Sequence, residues 1–188
     1  MRIIGGIHRG LGLASIGKGD KAAHLRPTAD RVRESIFNLL INGGYGDPVS
    51  NARVLDLFAG TGALGLEALS RGAAQVTFVD DGTAAGALIR RNIDTMRASG
   101  AADLHRRDAT RLGPNPGAPF SLVFLDPPYG RGLGEKALAA ALAGGWLAPD
   151  ALVVWEESTQ PLVPPALRQL DQRRYGDTLV TILRHDGP

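Results

Sequence analysis

Short apolar runs ending on acids or glycine alternate with amphipathic segments along most of the chain, a pattern that predicts strands and helices in turn. The first 25 residues are rich in glycine and basic side chains and suggest a loose hairpin or arm. Thr28 is then a plausible N-cap for a helix through about Leu40, with Val32, Ile36, Leu39 and Leu40 on one face and Asn42-Gly43-Gly44 as its stop. Arg53-Val54-Leu55-Asp56-Leu57-Phe58 reads as a buried strand, followed by a helix from Gly65 to Ser70 that stops at Arg71-Gly72. Gln75 to Val79 is a second strand ending on Asp80, and Thr83 to Ser99 a helix with Leu88, Ile89, Ile93 and Met96 as its stripe. A short strand around Asp103–Arg107 precedes Asp108, and Phe120 to Leu125 is a fourth strand ending on Asp126. A helix over Glu135–Leu142, a strand over Ala151–Trp155 and an antiparallel hairpin, Leu170–Tyr175 with Thr178–Leu183, complete the chain. Strands alternating with helices imply an α/β fold with a mainly parallel sheet covered on both faces. Such sheets bind ligands at the carboxyl ends of their strands.

Composition narrows this picture. A chain of 188 residues, 44% hydrophobic and 21% charged, fits one ordinary globular domain. The expected division is a basic N-terminal arm over residues 1–27 and a catalytic domain over 28–188. No apolar run is long enough to span a bilayer, and Met1 to Gly6 lacks the apolar core of a signal peptide, so a cytoplasmic protein is expected. The absence of cysteine excludes disulfides and thiolate catalysis, and the four scattered histidines show no ligand spacing, so no metal is expected. Net charge is only +2, but residues 1–34 carry seven basic groups against three acids while the remainder carries 14 against 16. That asymmetry suits an arm that meets phosphate.

Three motifs carry chemistry. Gly60, Gly62 and Gly65 match G-x-G-x-x-G between a strand and a helix, which alone would also fit a dinucleotide site. Asp56, four residues before the first glycine, suits a ligand bearing an ammonium group and would repel a pyrophosphate. The string Asp56-Leu57-Phe58-Ala59-Gly60-Thr61-Gly62 resembles the first motif of class I methyltransferases, in which this turn holds the amino-acid end of S-adenosylmethionine. Asp80, about 20 residues past the glycine turn, has the spacing of an acid that accepts from ribose hydroxyls, and Asp108 is placed to receive an adenine amino group with Ala109 beside the ring. The third motif is Asp126-Pro127-Pro128-Tyr129 directly after an apolar strand. Two prolines stiffen the loop. The Asp126 carboxylate and the Pro127 carbonyl can then accept from one exocyclic NH2 group, while Tyr129 offers a flat face to a base. Whether Asp126 takes the proton or only orients the amine stays open.

With these residues assembled, the chain resembles the bacterial small-subunit (16S) ribosomal RNA guanine N2-methyltransferases. The resemblance rests on Arg2-Ile3-Ile4-Gly5-Gly6 with Arg9-Gly10, on Leu25-Arg26-Pro27-Thr28 continued by Asp30 to Asn38, on Phe58 to Ala73, and on Tyr175-Gly176-Asp177-Thr178. It departs at Asp80, where that family commonly has Glu, and at Gly82, where it often has a further acid. The resemblance implies a Rossmann-like class I methyltransferase with a seven-stranded sheet and an antiparallel C-terminal hairpin. It implies S-adenosylmethionine as cofactor and, as partner, 16S ribosomal RNA or an assembling small subunit, acted on by a monomer. Phe58, Ala59, Gly60, Thr61 and Gly62 would join Asp56, Asp80, Asp108 and Ala109 around the cofactor. Arg2, Arg9, Arg26, Arg31 and Arg33 would grip phosphates, although Arg26 and Arg33 could instead pair with Asp30 or Glu34 within the domain. Two alternatives are weaker. An NAD-dependent oxidoreductase has no use for Asp126-Pro127-Pro128-Tyr129, and an adenine N6-methyltransferase usually begins that loop with Asn.

Overall fold

The computed structural model describes residues 1–15 and 30–187. Its elements are α1 (Asp30–Asn42), β1 (Arg53–Leu57), α2 (Ala63–Ser70), β2 (Gln75–Val79), α3 (Thr83–Thr95), β3 (Ala102–His105), β4 (Phe120–Leu125), α4 (Leu133–Ala143), β5 (Leu147–Glu157), β6 (Leu167–Tyr175) and β7 (Thr178–His185). They build one seven-stranded sheet in the order β3-β2-β1-β4-β5-β7-β6. Strands β1 to β5 run parallel, while β7 pairs antiparallel with both β5 and β6. The α/β fold read from strand–helix alternation is the fold observed.

Alternation along each strand divides the core. Val54, Val76, Phe78, Leu122, Phe124, Leu152 and Val154 meet Ile36, Phe37 and Leu40 of α1, Leu64 and Leu66 of α2 and Ile89 of α3 in one cluster. Leu55, Leu57, Val79, Val123, Leu125, Val153 and Trp155 meet Ala137, Leu138 and Ala141 of α4 in the other. A two-sided sheet of this kind requires strands apolar on both faces, as the near-continuous Val/Leu/Phe runs are.

Several boundaries differ from the sequence pattern for local reasons. Strand β1 ends at Leu57 because Phe58 adopts a left-handed conformation (φ 57°) that opens the glycine turn. Helix α3 stops at Thr95 where the chain turns into Arg97, also left-handed (φ 53°). Strand β5 starts at Leu147 and runs to Glu157, longer at both ends than its apolar stretch, because Leu147 pairs with Phe120 of β4 at one end and Glu156 and Glu157 pair with Val180 and Leu179 of β7 at the other. The proposed Thr28 N-cap and the boundary near residue 27 lie outside the described residues.

Residues 1–15 are docked rather than loose. Arg2 is bridged to Gly12, and Ile3 and Leu13 enter the α1–α2–α3 side of the core. Glu67 of α2, fully buried, accepts from the backbone N–H of Ile4 (2.9 Å) and Gly5 (2.8 Å). The same carboxylate pairs with Arg71 (2.8 Å) and with Arg33 (3.5 Å), whose side chain is also fully buried. Gly6 has to be glycine: its φ is 74°, and a Cβ there would lie 1.8 Å from the Ser70 carbonyl oxygen.

Because Glu67 is the buried counter-charge of Arg33 and the acceptor for the hairpin, Glu67→Gln is expected to lower unfolding free energy by about 3 kcal/mol or more. The exposed Glu34→Gln should change it by about 0.5 kcal/mol or less. Denaturant titration of both variants checks the contrast.

Candidate active site

The strand order reverses direction between β1 and β4, so the loops leaving these two neighbours part to opposite faces and open a crevice at their carboxyl ends. The glycine turn leaves β1 and the Asp126–Tyr129 loop leaves β4. The Asp126 backbone N–H donates to the Leu57 carbonyl at 3.4 Å, so the two motifs, far apart in sequence, start side by side.

Left-handed residues at Phe58, Gly60 and Gly62 (φ 57°, 58° and 77°) coil the turn tightly. Asp80, just beyond β2, braces it: its carboxylate accepts from the Gly60 N–H and the Gly82 N–H, both at 2.9 Å. The neighbouring Asp81 is exposed. Asp56 sits on the sheet face under α2 and accepts from the Gly65 N–H at 2.9 Å. A Cβ on Gly65 would come within 2.4 Å of the Phe78 ring and 2.7 Å of Val76, so glycine there lets α2 lie close over β1 and β2. Thr61 is buried within the turn and Ala59 is nearly so.

Two acids of this crevice are desolvated. Asp56 is buried, and desolvation pushes its carboxyl well above the ordinary aspartate range. The Gly65 N–H opposes this, while the charges of Asp126 and Asp80 reinforce it. Asp80 is also raised by desolvation, against the two N–H groups it accepts from. A ligand bearing positive charge would relieve both. Asp108 behaves differently. Its Oδ1 caps a 3-10 turn over Ala109–Arg111, accepting from the Thr110 N–H (2.8 Å) and hydroxyl (2.7 Å), which hold its carboxyl below the usual range. Its Oδ2 is 3.9 Å from Arg111, and Ala109 packs in the α4-side core.

In the second loop Pro127 is buried, Pro128 exposed, and Asp126 and Tyr129 half-buried. The loop is held at its far end by two residues that the sequence pattern did not single out. The Tyr129 hydroxyl is 3.2 Å from Thr178 Oγ1, and the Gly130 N–H donates to Glu157 at 3.1 Å. Glu157 ends a strand at the carboxyl edge of the parallel strands, and Thr178 closes the Tyr175–Thr178 string, so both carried a signal. Asn92 is a third omission: it is a fully buried polar residue in the α3 stripe and donates to the Thr61 carbonyl at 3.0 Å. Among the described residues no group of three or more His, Asp or Glu side chains could hold a metal ion.

The basic residues separate into two sets. Arg2 and Arg9 of the hairpin and Arg31 of α1 line one cleft of about 320 Å³, together with Asp30 and Glu34. Arg33 leaves the phosphate-gripping set: it is fully buried, donates to the Arg2 carbonyl and pairs with Asp30 (3.0 Å) and Glu67. Of the two internal partners open to it, Asp30 is the one used. Arg26 lies outside the described residues.

Comparison with known proteins adds a family. The family described as "Conserved hypothetical protein 95" matches residues 1–184. Ribosomal RNA small subunit methyltransferase D of Escherichia coli (strain K12) is 40% identical over 167 residues, covering 87% of this chain and 79% of its own. The Haemophilus influenzae protein of the same name is 38% identical over 170 residues, covering 88% and 83%. The solved Escherichia coli protein named "Putative methyltransferase yhhF" superposes with a TM-score of 0.83 at 36% identity, covering 100% of this chain and 99% of its own.

Burial of Asp56 favours its protonated form, so its contribution to the ligand-free fold is complete below about pH 4 and lost as pH rises toward its raised value. Asp56→Asn keeps an acceptor for Gly65 and is expected to remove that part of the decline. Thermal denaturation of both proteins between about pH 4 and 8 should show the variant gaining on the wild type as pH rises. A constant difference between them would contradict the assignment.

Proposed function

The chain belongs to the Conserved hypothetical protein 95 family of small-subunit ribosomal RNA methyltransferase D proteins, and from that membership we propose that it transfers a methyl group from S-adenosylmethionine to the N2 amine of a guanine in 16S ribosomal RNA. The observation that carries this reading is the meeting of an acid-lined glycine turn with Asp126-Pro127-Pro128-Tyr129 at the β1/β4 crevice.

The residues present fit the cofactor. Asp56 and Asp80 are carboxylates whose burial disfavours their charge, as suits a site that receives an ammonium group and a ribose diol. Phe58, Ala59, Gly60, Thr61 and Gly62 supply the close backbone wall, and Asp108 with Ala109 the adenine edge. Bound there, S-adenosylmethionine supplies a methyl group on a positively charged sulfur.

The chain's own work is then positioning. The Asp126 carboxylate and the Pro127 carbonyl accept from the exocyclic NH2 and fix its plane, and Tyr129 stacks on the base, its hydroxyl held by Thr178. Pro128 removes a second donor and keeps the loop rigid. The methylated amine becomes acidic as its new bond forms and its extra proton passes to solvent, so Asp126 serves as orienting acceptor and needs no raised basicity. A guanine has to leave its stack to reach this loop, which suits an unpaired or assembling stretch of RNA. Residues up to 27 would act as the RNA-gripping arm and 28–188 as the methyl-transferring domain, with Arg2, Arg9 and Arg31 facing phosphate. Among the described residues no helix is long and apolar enough to cross a membrane, and a ribosomal substrate would put the reaction in the cytoplasm.

Asp126→Ala is expected to lower methyl transfer by about 10²-fold or more with cofactor binding nearly unchanged. The assay uses labelled S-adenosylmethionine and small-subunit RNA, free and in assembled subunits, from cells lacking this protein, with the methylated nucleoside identified. A product other than N2-methylguanosine, N6-methyladenosine included, would move the proposal to another amine. Neutralising Arg2 and Arg9 should weaken RNA binding and flatten its salt dependence by about one unit per lost phosphate contact. An unchanged slope would assign those arginines a structural role.

A further inference from the structure

Asn92 is fully buried on α3, and its side-chain hydrogen bonds go to two segments remote from it in sequence. Its Nδ2 donates to the Thr61 carbonyl in the glycine turn (3.0 Å) and to the Ala14 carbonyl at the end of the N-terminal hairpin (3.1 Å). Its Oδ1 accepts from the Ala14 N–H at 2.7 Å. The side-chain amide therefore pairs with both backbone groups of Ala14 as a neighbouring strand would, while its remaining N–H holds the turn. Only an amide side chain offers this combination of donors and acceptor.

A second contact joins the same two segments. The Thr61 hydroxyl donates to the sulfur of Met1 at 3.4 Å, and the Met1 carbonyl accepts from the Leu13 N–H at 3.0 Å. The hairpin thus lies along α2, with its open end against the turn and its tip against Ser70, where the Ile7 N–H donates to the Ser70 carbonyl at 2.8 Å. Beyond Ser15 the sequence continues into a stretch that carries Lys18, Lys21 and Arg26.

We propose that Asn92 is a positioning residue that couples cofactor and RNA binding, by making the conformation of the Gly60–Gly62 turn and the docking of the hairpin at Ala14 depend on each other. The inference rests on the reading of the turn as a cofactor site and of the arm as an RNA contact. A ligand that orders the turn fixes the Thr61 carbonyl, which fixes the Asn92 amide and with it Ala14. RNA bound by the arm acts along the same bonds in the opposite direction. Linkage requires the effect to be equal both ways.

The test measures binding of a small-subunit RNA fragment with and without saturating S-adenosylhomocysteine, and of S-adenosylhomocysteine with and without that RNA. The wild type is expected to show the same factor in both directions, about five-fold or more. Asn92→Ala is expected to bring the factor close to one. Leu138→Ala, a core truncation on the α4 side of the sheet, controls for general destabilisation and should keep the wild-type factor. In the wild type alone, S-adenosylhomocysteine should slow hydrogen exchange of the Ala14 amide, which keeps the proposal testable if Asn92→Ala fails to fold. Independent binding of the two ligands to the wild type, an undiminished factor in Asn92→Ala, or an Ala14 amide indifferent to S-adenosylhomocysteine would each overturn it. If the wild type binds neither ligand in the separate titrations, the functional reading itself fails and the coupling falls with it.

Discussion

Strands β1 and β4 lie side by side and send their following helices to opposite faces of the sheet. That reversal dictates most of what the molecule can do, because it forces two polar loops to diverge from neighbouring strand ends and leaves a crevice between them. The Asp126 N–H reaching the Leu57 carbonyl is the local sign of it. Everything else at the site is bracing. Asp80 fixes the turn from β2, Glu157 and Thr178 fix the second loop from β5 and β7, and Asn92 fixes the turn from α3.

Two buried carboxylates, close in sequence, illustrate how environment sets the fate of a charge. Glu67 is surrounded by two arginines and two backbone N–H groups, so its charge is spent inside the protein in holding the hairpin against α2. Asp56 accepts from the Gly65 N–H, and among the described residues no arginine or lysine pairs with it. Its burial therefore works against its charge. The arginines divide in the same way, with Arg33 inside and Arg2, Arg9 and Arg31 on the cleft.

Much of this was legible in the chain itself. Apolar runs of strand length, period-3.6 stripes and acids at strand ends identified the alternating architecture, and the glycine and proline strings identified the two loops, since each of these signals is local. The boundaries were less legible. Phe58 carries no mark of a left-handed residue, and the ends of β5 depend on two strands that pair with it rather than on its own sequence. Leu88 fits the α3 stripe but is only partly buried, whereas Asn92, polar though it lies on the same face, is fully buried because its amide is paired in the interior.

The sequence by itself determined the element order, the two-sided sheet and the chemical character of the loops, because side-chain period and backbone-restricting residues act over a few positions. Tertiary structure alone decided which partners those residues meet. Whether a guanidinium faces solvent or a buried carboxylate, as for Arg33, and whether a polar side chain bridges segments 31 and 78 residues away, as Asn92 does, depend on contacts that no local pattern encodes. The hairpin's docking is the plainest case: its glycine-rich, basic sequence suggests a loose hairpin or arm, but Glu67 and Ser70 of α2 and Asn92 of α3 supply hydrogen bonds that hold it in place.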